Sequence, residues 1–564
     1  MKKVYILLIL IPGYLVTLAQ SVGLGTLAPN ASAQLDISST NKGLLIPRMG
    51  TASIASVANP AKGLLIYDSA KNLLMVNMGT AATPNWQTIV AGSGWSLTGN
   101  GGTDTVKKFI GTTDAQPLMF RINNNWAGMI DSASGNSYLG YSAGKNNSSG
   151  VYNTGYGYQA LQSNTSGSYN TAFGTQSLYL NPSGGPIGDQ NTAVGYGALF
   201  GNYGNVGNTA VGFGALYINS GNLNTSVGYQ ALFNGGGGSN TAVGAQALYS
   251  GGGNSNTAFG ARALYNSLSS ASFNTATGFE ALINNVSGSY NTASGYQALH
   301  NNLSGQFNTA FGAEALFSNT TNSQNTSVGN FSLLSTTASD GNTALGFLAG
   351  GSWDNGYYNV FIGSSADANG SDYYNTIALG YSTIVTAPNM MRVGNFATTS
   401  IGGPVGWSTI SDGRAKKNIQ ENVPGLSFIT LLRPVSYNLD QSAMDRIIQP
   451  PVQTHADKKG ISKTVPPEIA AAYREKEQIV YSGFVAQEVE QAAKSINYNF
   501  SGVDAARNDK DLYSLRYADF VVPLVKSVQE LSARNDQLKK DNALLAEQNK
   551  LVMRRITALK AKIP

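Results

Sequence analysis

The chain contains no cysteine, which excludes a disulfide framework, a thiolate nucleophile and any Cys-ligated metal. Histidine is nearly as scarce. With only His300 and His455, neither a His-based triad nor a His-rich metal site is expected, and no cofactor or metal is implied. Charged residues make up 12% of the sequence, against about 25% in ordinary globular chains. The net charge of +5 does not describe a phosphate-binding face, because 23 of the 35 Lys and Arg fall in residues 411–564 beside many acids, so no nucleic-acid partner is expected. Long apolar runs are missing too. The longest, Val4 to Ala19 after Lys2 and Lys3, is broken by Pro12 and Gly13 and falls short of the ~20 residues that a membrane span needs. It reads as a secretory leader cut after Ala19, with a membrane anchor as the alternative. The expected location is therefore secreted or at the cell surface, with no membrane span once the leader is removed.

What the chain has in excess is glycine, 66 residues of it, and repetition. A unit of the form Asn-Thr-Ala-Val-Gly-x-x-Ala-Leu-aromatic recurs with its Asn at 170, 191, 208, 224, 240, 256, 274, 291, 308, 325 and 342, and looser copies begin at Asn136, Asn153, Asn359 and Asn375. The spacing is 16–18 residues apart from one step of 21, where Asn181-Pro-Ser-Gly-Gly-Pro lengthens a loop. In the copy Asn208 to Tyr217, Thr-Ala-Val is a short strand with alternate side chains facing opposite ways. Gly212 permits a bend, and Ala215 with Leu216 supplies a small apolar plug. One such coil buries almost nothing. Stacked at the interstrand spacing, about fifteen coils align their Leu into a column and their Asn into a hydrogen-bonded ladder, giving a rod of roughly 70 Å. The fold class expected is mainly β: a repetitive β-roll or β-solenoid rod, a small α+β domain and a C-terminal helical coiled coil. The expected boundaries are 1–19 (leader), 20–95 (N-terminal β module), 96–135 (connecting β segment), 136–395 (rod), 396–520 (α+β domain) and 521–564 (coiled coil).

The repeats resemble the head repeats of trimeric autotransporter adhesins, whose Asn-x-x-x-x-Gly-x-x-Ala units wind a β-roll and associate in threes; the unit here is longer. The resemblance implies a homotrimer. Tyr179, Phe200, Tyr217, Phe233, Tyr249, Tyr265 and Phe317 follow the Leu in their copies. They read as packing between coils or chains, with a stacking stripe for a surface glycan or host receptor as the functional alternative. Nine charged residues lie between Asn136 and Gly380, and no carboxylate pair recurs at one repeat position, so the rod is expected to carry no glycosidase chemistry. Glu280 and Glu314 occupy variable slots.

Upstream, Lys42-Gly43-Leu44-Leu45-Ile46-Pro47 and Lys62-Gly63-Leu64-Leu65-Ile66-Tyr67 are near-duplicates, each read as a short apolar strand after a glycine. Together with Val22 to Thr26 and Leu35 to Ser39 they resemble the opening module of fibre-like surface proteins from Bacteroidetes. Trp95, Asn100-Gly101-Gly102 and Trp126 mark short strands and turns that join this module to the rod.

Near residue 410 charges, prolines and helical patterns appear together and the repeats stop. Four blocks follow: Ser411-Asp412-Gly413-Arg414-Ala415-Lys416-Lys417-Asn418-Ile419, Leu431-Leu432-Arg433-Pro434-Val435-Ser436-Tyr437, Gly483-Phe484-Val485-Ala486-Gln487-Glu488-Val489 and Leu515-Arg516-Tyr517. In this order they resemble the peptidase S74 family, the intramolecular chaperones of phage endosialidases and tail spikes. The resemblance implies a domain that trimerises the chain, sets the β-fibre in register and releases itself by cutting at Ile410-Ser411. Ser411 and Lys416 match its Ser–Lys dyad, with Asp412 and Arg414 as supporting loop. Where members often carry a His before the Gly-Phe block, this chain has Tyr481-Ser482. The residue types suit the chemistry, since a serine hydroxyl becomes a nucleophile when a neighbouring base takes its proton. The insert from Ser442 to Gln478 has no assigned purpose. From Val521 to Ile563 a three-four alternation gives a heptad seam with Asn535, Asn542 and Asn549 at successive a positions, which fixes register. Val at a with Leu at d leans towards two strands, whereas both resemblances imply three.

Overall fold

The computed structural model describes residues 21–89, 109–181, 188–352, 355–448 and 466–563. The expected leader, Trp95, Asn100-Gly101-Gly102, His455 and the middle of the 442–478 insert lie outside them. The chain forms two units, Met1–Gly111 and Thr112–Pro564.

In the first unit Val22–Leu24 pairs in parallel with Leu35–Ile37. A four-stranded sheet follows in the order Arg48–Met49, Leu65–Asp68, Leu73–Asn77, Trp86–Thr88, packed on Ile54, Ile66 and Met75. Of the near-duplicate pair, the second becomes a strand and the first does not. Leu44 and Leu45 are exposed, and pairing begins only at Arg48. The second copy turns back at Asn72, held at φ 55°, into an antiparallel partner. The first runs into Pro47, which has no N–H to give to a ladder. Asn77 is fully buried and ties two loops together, donating to the Pro60 carbonyl at 2.9 Å and accepting from the Asn85 N–H at 2.9 Å.

The second unit opens with an antiparallel hairpin, Leu118–Ile122 and Asn125–Asp131, which continues into Asn136–Leu139. From there the repeat Asn residues as far as Asn359 each introduce a three-residue parallel strand, one per coil, and Thr376 and Met390 stand in that place before the last two, Ile377–Leu379 and Met391–Val393. Register is residue on like residue: Thr209 opposite Thr225, Ala210 opposite Ser226, Val211 opposite Val227. The expected β-solenoid is what forms, and its core is the expected column. Leu161, Leu178, Leu199, Leu216, Leu232, Leu248 and the residue before each, Ala in every case but Ser177, are fully buried.

The asparagines form two columns rather than one. Each repeat Asn from Asn136 to Asn359 is buried and accepts a backbone N–H from the next coil, as Asn208 Oδ1 does from Asn224 at 2.9 Å, while the Asn224 amide donates to the Gly237 carbonyl at 2.9 Å. Asn375, expected to begin a copy, is exposed instead, and Thr376 takes the inner place, its N–H donating to Asn359 Oδ1 at 3.0 Å. A second column is the side-chain ladder proper: Asn181 to Asn164 at 2.7 Å, Asn202 to Asn181 at 3.1 Å and Asn219 to Asn202 at 2.8 Å. The repeat glycine is fixed by closeness as well as by bending. A Cβ on Gly212, at φ 134°, would lie 2.3 Å from the carbonyl oxygen of Gly228 in the next coil.

Each coil also holds non-glycine residues in the left-handed region, for instance Tyr169, Gln176 and Leu178 at φ 60°, 56° and 49°. Such a conformation costs about 1–2 kcal/mol per residue. The stack holds it because each tight turn delivers a Leu to the column and N–H groups to the neighbouring coil, as Gln176 N donates to the Tyr158 carbonyl at 2.8 Å.

Beyond the rod, helices Leu426–Ile429 and Ala486–Ser495 pack around Phe428, Val489, Ala493, Phe500 and Phe520. A 40-residue helix, Val521–Lys560, ends the chain. No helix among the described residues is long and apolar enough to cross a membrane.

Candidate functional site

Between the rod and the C-terminal core, residues 399–422 are exposed throughout. Within this stretch Asp412 caps a single 3-10 turn, Gly413–Ala415, its carboxylate accepting from the Arg414 N–H at 2.9 Å. The Arg414 guanidinium closes on the same carboxylate, Nη2 to Oδ2 at 2.6 Å. That pairing holds the Asp412 carboxyl below the usual carboxylate range and raises Arg414. Because the chain makes one turn between them, Ser411 and Lys416 meet. Lys416 Nζ donates to Ser411 Oγ at 2.8 Å. Ile410, before the serine, is 91% exposed. Asp412 and Arg414 therefore shape the turn and do not contact the serine hydroxyl through any hydrogen bond described.

The other three blocks come together some way along the chain. Val435–Tyr437 pairs antiparallel with Tyr481–Gly483, placing Tyr437 opposite Tyr481. Tyr517 accepts the Phe484 N–H at 3.1 Å, and the Phe484 ring stacks on Phe520 at 5.4 Å. The glycine of the third block is required by this packing, since a Cβ on Gly483 would lie 2.2 Å from the Tyr517 hydroxyl. Burial pushes the Tyr437 hydroxyl up, and Tyr517 adds to the effect. Arg433 of the second block forms a two-bond ion pair with Glu488 of the third, Nε to Oε2 at 3.0 Å. Blocks two to four thus form one fold, while among the described residues the block bearing Ser411 and Lys416 makes only local side-chain hydrogen bonds.

Two connections have no signature in the sequence. The Glu530 carboxylate, on the long helix, accepts the Leu426 N–H at 2.8 Å and so joins that helix to the core. Residues 507–511 reach back to the rod, with Asp511 Oδ1 accepting from Thr386 Oγ1 at 2.5 Å. Both pair residues about a hundred positions or more apart, which no local pattern announces.

On the rod, Tyr179, Phe200, Tyr217, Phe233, Tyr249 and Tyr265 form one continuous stack with ring centroids 4.8–5.2 Å apart. The Arg262 guanidinium covers its far end, 5.3 Å from the Tyr265 centroid. Rings that face one another along the axis do not offer those faces to a sugar, so the geometry is that of packing between coils. Glu280 is held by Arg262 at 2.6 Å and Gln297 at 2.8 Å. Among the described residues no cluster of His, Asp and Glu could hold a metal ion.

Residues 23–103 match the family model of the phage tail like trimerisation region. No curated protein matches the chain. A trimerisation region followed by a β-solenoid rod fits a trimeric fibre.

Proposed function

We propose that the protein is a secreted homotrimeric surface fibre whose C-terminal S74-like region brings three chains into register and then cuts the chain at Ile410-Ser411. The observation that carries the cleavage reading is the 2.8 Å contact between Lys416 Nζ and Ser411 Oγ on an exposed segment outside the C-terminal core. Ser411 Oγ attacks the Ile410 carbonyl carbon, its proton passes to a neutral Lys416, and the C–N bond breaks as the Ser411 nitrogen takes a proton. Water then hydrolyses the resulting ester, leaving Ile410 as a carboxylate and Ser411 as a free N-terminus. A lysine acts as a base only where burial favours its neutral form. Lys416 is exposed in the single chain and donates to the serine, so the cover must come from the assembled neighbours, and cleavage follows assembly.

Trimerisation is supported by two apolar surfaces left uncovered in one chain. The a and d residues of the terminal helix, among them Leu531, Leu538 and Leu545, are about half exposed, as a coiled-coil seam is before its partners arrive. On the rod the strand residues that face away from the column, such as Phe259 and Phe311, and the flanking Tyr290 and Tyr296 are 50–58% exposed. Apolar surface repeated over that length marks an association face. The exported location rests on the leader pattern of residues 1–19.

Intact-mass analysis of the purified trimer tests the proposal. Wild type yields a C-terminal fragment beginning at Ser411 without added metal or cofactor. Ser411→Ala stays full length yet assembles, and Lys416→Ala slows cleavage by about 10²–10⁴-fold. A wild-type trimer that remains intact for days leaves a purely structural fibre. The phage tail-like match favours a second reading, a phage-derived tail fibre. N-terminal sequencing of the mature chain separates the two: a start at Gln20 supports export, and an intact Met1 supports the tail fibre.

A further inference from the structure

A solenoid needs a cover at each end, where a stacking neighbour is missing. At the first end the cover belongs to the rod: Trp126 of the opening hairpin packs on the core column and donates to the Ala143 carbonyl at 2.6 Å. At the last coils it comes from the C-terminal fold. Asn369 Nδ2 donates to the carbonyls of Ile448 at 2.7 Å and Lys510 at 3.0 Å. Asn508 Nδ2 donates to the Thr386 carbonyl at 3.0 Å, and Arg507 Nη1 to the Pro388 carbonyl at 2.6 Å. Thr386 Oγ1 donates to Asp511, and Lys476 Nζ to the Thr398 carbonyl at 2.6 Å. Thr386 is fully buried and Asp511 is 7% exposed, so the contact is closed to water. Asp511 is also fully partnered, since its second oxygen accepts the Arg507 N–H at 3.1 Å.

The covalent connection does little of the holding. Residues 399–422 are exposed, and among the described residues their side-chain hydrogen bonds join only neighbours such as Asp412 with Arg414 and Lys416 with Ser411. Breaking the chain there removes none of the contacts above. We infer that the 507–511 loop is a polar latch that keeps the C-terminal fold seated on the end of the rod, so that the fragment freed at Ile410-Ser411 stays bound as a cap. This rests on the cleavage reading for its occasion, although the latch itself does not depend on how the chain is cut. The latch is built mainly of hydrogen bonds, and such an interface can be undone without unfolding either side. Burial pushes the hydroxyl of Tyr473, on the neighbouring helix Pro467–Glu477, up to about 12, with Asp445 and the rod's Tyr381 adding to it.

The test separates the latch from self-cleavage. In a Ser411→Ala chain, a recognition sequence for a site-specific protease is inserted between Gly402 and Gly403, both exposed. The trimer is cut there and run on size exclusion with mass analysis of the peak. Co-elution of both fragments is the expected result. Thr386→Val with Asn369→Ala removes the rod's side-chain donors and leaves the C-terminal fold untouched; the fragments should then separate at least about tenfold faster. Arg507→Ala, on the other side of the contact, should act in the same direction and guards against a misfolded rod variant. Fragments that part as soon as the parent is cut, or variants that hold as firmly as the parent, overturn the latch. Failure of wild type to cut itself bears only on the cleavage reading.

Discussion

In the rod, Asn208 binds the backbone of Asn224 sixteen residues on, and the coils from Asn136 to Asn359 repeat that relation. In the C-terminal fold, Phe428, Val489, Phe500 and Phe520 pack together from four separate segments. The rod therefore solves one packing problem many times, with a core only as wide as an Ala and a Leu. The C-terminal fold solves a single problem once, with large rings. Stability in the rod is a sum over neighbouring coils, so a fault damages the coils beside it, whereas a fault among the rings is felt by the whole fold.

The sharpest way to break this contrast is at the glycine column. Gly212→Ala places a Cβ 2.3 Å from the Gly228 oxygen in a backbone region that only glycine favours, and should destabilise the rod by about 3 kcal/mol. Limited proteolysis should map the damage to the coils on either side; loss of the whole rod would show that it is cooperative end to end. Next, Asn208→Ala strands the Asn224 N–H in the buried interior and should cost about 1–3 kcal/mol in denaturant unfolding, again local in effect. In the C-terminal fold, Gly483→Ala drives a methyl group into the Tyr517 hydroxyl. It should cost about 1–3 kcal/mol, spread over the fold, and Tyr517→Phe in the same chain should recover part of it.

Smaller effects sharpen the comparison between inward and outward faces. Phe259→Lys with Phe311→Lys alters the half-exposed outer face; light scattering should report dissociation of the trimer while far-UV spectra of the rod persist. The least effect is expected at Asp412. Its carboxyl is held below the usual range by Arg414, so the stabilisation of the turn is present above the ordinary carboxylate pKa and lost as pH falls through the depressed one. NMR of Ser411 and Lys416 should show their contact persisting at neutral pH and loosening only in strong acid.

How much of this could be read in advance differs between the same two regions. The strand, the buried Leu and the coil spacing were legible because a period of 16–18 residues forces like residues to stack. The second asparagine column at Asn164, Asn181, Asn202 and Asn219 obeys the same period, yet sits in loops of varied composition and was missed. The left-handed Gln176 and Leu178 were not legible, because only the demands of the stack overrule their own preference. Ser411 and Lys416 were brought together by a turn that Asp412 caps, a short-range arrangement that spacing could suggest.

The sequence by itself determined the rod, through repetition, and the terminal helix, through a run of residues with no breaker after Pro523. Only the tertiary structure decided that Leu44 and Leu45 stay out of the sheet, that Tyr517 closes on Gly483, that Glu530 ties the long helix to Leu426 and that Asp511 reaches Thr386. Each of these contacts is a choice between distant partners, and a choice of partner is made by the shape of the folded chain, which no window of neighbouring residues contains.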